Sequence, residues 1–285
     1  MMLSSLFFIT SFTCFNANSL KTLLPDDNEK ICNEKFTILV DANVKNNAVG
    51  DVITEIGKSF LGTEYVAGTL DVNTNSENLV IDFTGLDCVT FIENCLTFSR
   101  CLKQNKTSFE DYKKELEKIR YREGKIEGYG SRLHYFTDWI FNNQEKGIVK
   151  DITAEIGGVE YSKKINFMSK HPESYPQLSN KDNFENIKAA EDAINSRTYY
   201  FIPKEKISSV YSLLKNGDII ATTTTIPGLD VTHTGYVYKG DDGGTYFLHA
   251  SLKSKKVIIS AKQLQEYVME DLKKTGIIVA RPLEP

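Results

Sequence analysis

The sequence predicts an α+β fold, with helices in the first half and antiparallel strands in the second. Between Asp51 and Ile119 apolar residues recur at helical spacing, and from Gly217 the period falls to two. Asp241-Asp242-Gly243-Gly244, between two aromatic and β-branched stretches, is a strong hairpin signal. Helical runs followed by strand runs segregate into an α+β architecture.

At the amino end, Leu6–Phe12 is apolar and Asn16-Ala17-Asn18-Ser19 is small and polar. That is the pattern of a secretory leader over residues 1–19, although no Lys or Arg precedes the apolar run. Cys14 is a lipid-attachment candidate with a poor lead-in, and the chain would be membrane-anchored only if it is used. No other run approaches transmembrane length. Residues 20–50 read as a polar segment with a turn at Pro25-Asp26-Asp27-Asn28, and 51–285 as one domain.

Within that domain a helix starts near Asp51. It buries Val52, Ile53, Ile56 and Phe60 and ends at Gly62. The loop from Gly62 to Leu70 presents Tyr65. Leu79-Val80-Ile81 is strand-like and leads into Gly85-Leu86-Asp87-Cys88, where a buried helix opens with Val89, Ile92 and Leu96 on its inner face. Ser108 caps the next helix, whose inner face is Phe109, Tyr112, Leu116 and Ile119. Gly124, Gly128 and Gly130 break the pattern before Arg132–Ile140, which concentrates Arg, His, Tyr, Asp and Trp. Residues 145–185 are irregular and read as an insertion forming a cleft wall. A helix over 186–196 follows. Strands are expected at 217–222, 232–238, 245–250, 256–259 and 276–281, with Ser260 and Gln263 as a capping box for a helix to Leu272.

The net charge of −4 argues against nucleic-acid binding, which would show a basic stripe. The 41% hydrophobic and 25% charged residues suit a globular chain with a real core. The five cysteines do not form a disulfide framework: none has CxxC spacing, and Cys88 and Cys95 on one helix lie roughly 10 Å apart.

Cys88 opens its helix, where free backbone N–H groups and the helix dipole stabilise a thiolate and leave donors for an oxyanion. A small buried cysteine filling a strand–helix junction fits this stretch alone equally well. A nucleophilic cysteine needs a base, and the base needs an orienting partner. Two of the four histidines, His233 and His249, flank the hairpin turn, which makes them cross-strand neighbours on one face. A helix-start Cys with two strand histidines is a papain-type layout. Metal chemistry lacks HxxxH or HxxEH spacing, and a serine nucleophile lacks its Gly-x-Ser-x-Gly elbow. The site calls for no cofactor. His134 is equally a core histidine or a cleft residue, and Trp139 either packs in the core or stacks on a sugar.

Asp87-Cys88-Val89-Thr90-Phe91-Ile92-Glu93, His233-Thr234-Gly235 and Leu248-His249-Ala250 resemble the NlpC/p60 superfamily of papain-like cell-wall hydrolases. Phe60–Leu70, Arg132–Ile140 and Gly228–Gly235 resemble its N-acetylmuramoyl-L-alanine amidase-like branch, long known only as a domain of unknown function. The resemblance covers residues 50–283, with Glu64 standing where the branch would have proline. It implies a bacterial, periplasmic or secreted cysteine amidase cutting the N-acetylmuramoyl–L-alanine bond of muropeptides. It also implies the papain-like fold, with the helical half packed on a C-terminal antiparallel sheet or half-barrel. In it Cys88 is the nucleophile, His233 the base and then acid, and His249 the orienting third member. Tyr65, Arg132, His134, Trp139, Asp230 and Thr232 fall on the substrate side. The rival readings are a γ-D-glutamyl endopeptidase on the same polymer and a non-catalytic wall-binding module.

Overall fold

The computed structural model describes residues 25–71 and 76–285. The expected leader, with Cys14, lies outside them. Where a turn was expected at Pro25 the chain forms helix α1, Pro25–Asp41. Cys32, Phe36 and Leu39 recur at helical spacing within it and are buried, which outweighs the polar composition of the rest. Helix α2 (Val49–Lys58) buries Val52, Ile53 and Ile56, as the sequence predicts.

Two short strands follow, β1 (Glu64–Tyr65) and β2 (Gly85–Leu86), then helix α3 (Cys88–Lys103). The strand expected at Leu79-Val80-Ile81 does not form. Its carbonyls are taken by side chains instead, Ile81 O by Asn28 Nδ2 at 3.0 Å and Val80 O by Arg120 at 2.5 Å. Helices α4 (Phe109–Arg120) and α5 (Phe136–Glu145) complete the helical half.

Residues 145–185 have two parts. The first becomes strand β3 (Val149–Asp151) and joins the main sheet, with Ile148, Val149 and Ile152 buried. The second carries β4 (Val159–Glu160) and α6 (Phe167–Lys170). It packs with α7 (Lys181–Asn195) around Tyr129, Tyr135, Ile165, Met168, Ile187 and Ile194. Strand β5 (Tyr200–Pro203) and a 3-10 stretch (Lys204–Leu213) lead to the meander β6 (Ile219–Thr224), β7 (Val231–Lys239), β8 (Thr245–Ser251) and β9 (Lys256–Ile259). Helix α8 (Leu264–Met269) and strand β10 (Lys274–Pro282) end the chain.

The strands form one sheet in the order β2-β1-β9-β8-β7-β6-β10-β5-β4, with β3 also on β10. The β1–β2 pair is parallel and the others are antiparallel, so the sheet is mixed. It is also open, and this corrects the expected half-barrel. Closure needs the two edges to pair. Here β2 and β4 end the order unpaired with each other, and the nine-residue β10 pairs with β6 along one edge and with β5 and then β3 along the other. Alternation along the strands makes two buried faces. Ala221, Tyr236, Leu248 and Ile278 pack on the side of α2 and α3. Ile220, Val237, Phe247 and Val279 pack on the side of α8 and the 3-10 stretch. Among the described residues no helix is long and apolar enough to cross a membrane.

Candidate active site

Helix α3 starts at Cys88 because Asp87 stops and caps it. The Asp87 carboxylate accepts from the N–H groups of Val89 (3.0 Å) and Thr90 (2.7 Å), and Thr90 Oγ1 accepts from Asp87 N–H at 2.9 Å. The helix is then tied along β7. Thr234 Oγ1 donates to Cys88 O at 2.9 Å and Tyr236 Oη to Ile92 O at 2.7 Å. Alternate strand residues thus meet carbonyls one helical turn apart, which fixes both depth and rotation of the helix start.

Pairing of β7 with β8 stops at Tyr236–Leu248. The backbone from His233 to Gly235 is therefore open on that side, and the N–H and hydroxyl of Thr234 lie against the Cys88 thiol. Burial raises that thiol to about 11 and Asp87 adds to the rise, while Thr234 and the Cys88 N–H pull it down. The helix start thus does not produce the resting thiolate expected from sequence, because desolvation outweighs it.

His233 and His249 meet as the hairpin predicts. His233 Nε2 lies 2.7 Å from His249 Nδ1. Phe247 stacks on the His249 ring (4.7 Å, 18°), and Tyr267 meets it edge-on at 5.0 Å. His249 is fully buried, and its Nε2 has no hydrogen-bond partner among the described residues. Burial holds both histidines neutral. His233 falls well below its ordinary 6.5, helped by His249 and Lys274, and His249 falls to about 3, helped by Lys274. Gly235 separates the hairpin from a clash, since a Cβ there would stand 2.7 Å from His249 Cβ and 2.5 Å from Phe247 Cε2.

Tyr65 also comes to Cys88, because β1 pairs with β2 immediately before Asp87. Burial, with the Cys88 and Asp87 charges, raises its hydroxyl, which stays protonated as a donor. Thr232 is exposed on the wall of a cleft of about 870 Å³ that also holds His233, His249, Tyr267 and Lys274.

The other sequence candidates are engaged elsewhere. Arg132 donates to Leu70 O (2.9 Å) and pairs with Asp71 (2.5 Å) and Glu77 (3.5 Å). Trp139 is fully buried, its Nε1 donating to Glu93 Oε1 at 3.3 Å, so neither face is open to a sugar. His134 Nε2 bonds Tyr129 O at 2.8 Å, and burial lowers it to about 3. Asp230 is buried and accepts from the N–H (2.8 Å) and hydroxyl (3.0 Å) of Thr137 at the start of α5. Sequence reasoning missed Tyr267 and Lys274. They come from α8 and the start of β10, where nothing in spacing or residue type marks a site. Among the described residues no cluster of three metal-ligating side chains forms.

Comparison with known proteins gives consistent matches. The AmiA-like family, described as N-acetylmuramoyl-L-alanine amidase-like, matches residues 55–277. An N-acetylmuramoyl-L-alanine amidase structure from Bacteroides uniformis is 37% identical with a TM-score of 0.77, covering 82% of this chain and 98% of that one. A Bacteroides fragilis protein carrying a provisional xylanase name is 38% identical with a TM-score of 0.74, covering 79% and 98%. A Legionella pneumophila protein shares the fold at 21% identity and a TM-score of 0.70, covering 90% and 95%. Curated proteins give no significant match.

Proposed function

The chain belongs to the N-acetylmuramoyl-L-alanine amidase-like family, and from that premise we propose a cysteine amidase that hydrolyses the bond between N-acetylmuramic acid and L-alanine in peptidoglycan fragments. The observation that carries the mechanism is the histidine pair beside the start of α3, with His233 Nε2 2.7 Å from His249 Nδ1.

His233 Nε2–H donates to His249 Nδ1, which leaves His233 Nδ1 bare to accept a proton. It takes the thiol proton as Cys88 Sγ attacks the lactyl carbonyl carbon. The neutral resting pair makes this a general-base step rather than a preformed ion pair. The Cys88 N–H at the helix start and the Tyr65 hydroxyl receive the oxyanion. Protonated His233 then gives its proton to the alanine nitrogen, the C–N bond breaks, and a thioester remains. Water attacks the thioester, losing a proton to His233, which returns it to sulfur as the muramoyl acid leaves. In the same reading 51–285 is one catalytic domain behind a cleaved leader, which delivers it to the compartment holding its substrate.

The B. fragilis name does not suit the site. A xylanase needs two carboxylates flanking a glycosidic bond. At this cleft Glu270 is paired with Lys262 at 2.6 Å and Asp271 Oδ1 accepts from the Lys273 N–H at 2.9 Å, while the Asp87 carboxylate beside Cys88 is committed to capping α3. Digestion of a defined disaccharide-tetrapeptide, with products weighed by mass spectrometry, tests the bond assignment. The expected products are the intact disaccharide and a tetrapeptide with a free L-alanine amine. L-alanine left on the sugar would identify a γ-D-glutamyl endopeptidase instead.

A further inference from the structure

The cleft that holds both histidines also holds a lysine that burial makes harder to charge and that the carboxylates of Glu270 and Asp271 support only from beyond ion-pair distance. Lys274 is 7% exposed at the start of β10, and its Nζ lies 4.2 Å from the centre of the Tyr267 ring. Among the described residues it makes neither a salt bridge nor a side-chain hydrogen bond. The nearby Glu270 is committed to Lys262, and Asp271 Oδ1 accepts from the Lys273 N–H at 2.9 Å. The two imidazoles facing it are neutral, and they offer no charge to balance it. A buried cation is costly unless paired, and the ring of Tyr267 offsets only part of that cost.

The location of the cleft decides what would pair with it. His233 protonates the departing amine in the reading above, so the leaving peptide lies on the histidine side. The cleft extends from His233 and His249 past Tyr267 to Lys274, and both Tyr267 and Lys274 lie within electrostatic reach of Cys88. The residues beyond L-alanine in a stem peptide carry free carboxylates. We propose that Lys274 is a specificity-determining residue whose ammonium takes a carboxylate of the departing stem peptide in the cleft it shares with His233 and His249. This rests on the amidase reading and assigns the substrate feature that the site selects.

The test compares N-acetylmuramoyl-L-alanyl-D-glutamate with the same compound amidated at its glutamate carboxylates, for wild type, Lys274→Met, Lys274→Gln and Lys274→Arg. Wild type is expected to favour the charged substrate by about tenfold or more in kcat/KM, mainly through KM, the size of one charge-assisted hydrogen bond. Lys274→Met and Lys274→Gln should abolish the preference, and Lys274→Arg should keep part of it. In parallel, calorimetric titration of L-alanyl-D-glutamate and its amidated form into the same proteins reads the preference without turnover. A lysine that merely supported the fold would lower both ligands alike. Equal use of the two ligands by wild type, or an undiminished preference in either neutral variant, overturns the inference while the amidase reading stands. Cleavage at another bond with the binding preference intact overturns the amidase reading while the carboxylate site stands.

Discussion

At the scale of the residue, the proposed mechanism rests on groups that are neutral before substrate arrives. Burial raises the Cys88 thiol and lowers both histidines, so the charge-separated state appears only along the reaction. The acid limb of kcat/KM reports the free-enzyme base. Because His233 is held well below its ordinary 6.5, that limb is expected well below pH 6.5. A limb at or above 6.5 would contradict the assignment of the base. The proposed role of Tyr65 is different, that of a donor whose hydroxyl burial keeps protonated. Tyr65→Phe should lower kcat by about tenfold or more and leave KM nearly unchanged, which steady-state kinetics on a muropeptide would show. The positions of Cys88 at a helix start, His233 and His249 on one hairpin and Tyr65 on a loop were legible in the sequence because those signals are local, whereas the roles proposed for them come from the family resemblance. Arg132 and Trp139 were equally visible as residue types. Their engagement by Asp71, Glu77 and Glu93 depends on contacts across more than 40 positions, which no local pattern encodes.

At the scale of the element, β7 is the reference against which the site is built. Its even residues, Thr234 and Tyr236, hold α3, and its odd residues, His233 and Gly235, face β8 and the histidine pair. The glycine of His233-Thr234-Gly235 is there for space. Gly235→Ala is expected to displace the His249 ring and cut kcat/KM by about 100-fold or more while the protein stays folded, because the new methyl meets His249 Cβ. Activity assays alongside a thermal melt would check this, and an active Gly235→Ala enzyme would mean the histidine pair tolerates movement. The elements themselves were largely legible, since the α2, α3 and α4 stripes and the β6–β9 alternation carry clear periods. Helix α1 was not, because only Cys32, Phe36 and Leu39 declare its buried face among many polar positions. The Ser260–Gln263 box was misleading. Ser260 Oγ accepts instead from Phe247 N–H at 3.0 Å, and α8 starts after Gln263.

At the scale of the whole molecule, an open mixed sheet separates two cores, and the proposed chemistry sits where β7 and β8 part. Openness was not legible, because strand count and alternation are the same for an open sheet and a closed one. The distinction lies in edge pairing, and the edge strands β2 and β4 do not pair with each other. Three histidines are held neutral in the folded state, His134 and His249 falling to about 3 and His233 well below 6.5. Their folded values lie below the unfolded one, so the unfolded chain binds more protons at mildly acid pH. Stability should therefore be greatest above pH 6.5 and fall as pH drops from 6.5 toward about 3, as chemical denaturation across that range would show. His134→Gln should make the fall shallower, whereas an unchanged slope would mean His134 is protonated in the fold. In the proposed mechanism Cys88 carries the muramoyl group as a thioester. Acid quenching of the enzyme during turnover of a muropeptide, followed by mass analysis of the peptide containing Cys88, tests it most directly. An adduct of the muramoyl sugar on Cys88 is expected, with loss of both adduct and turnover in Cys88→Ala. An adduct-free Cys88 together with undiminished turnover in Cys88→Ala would contradict it.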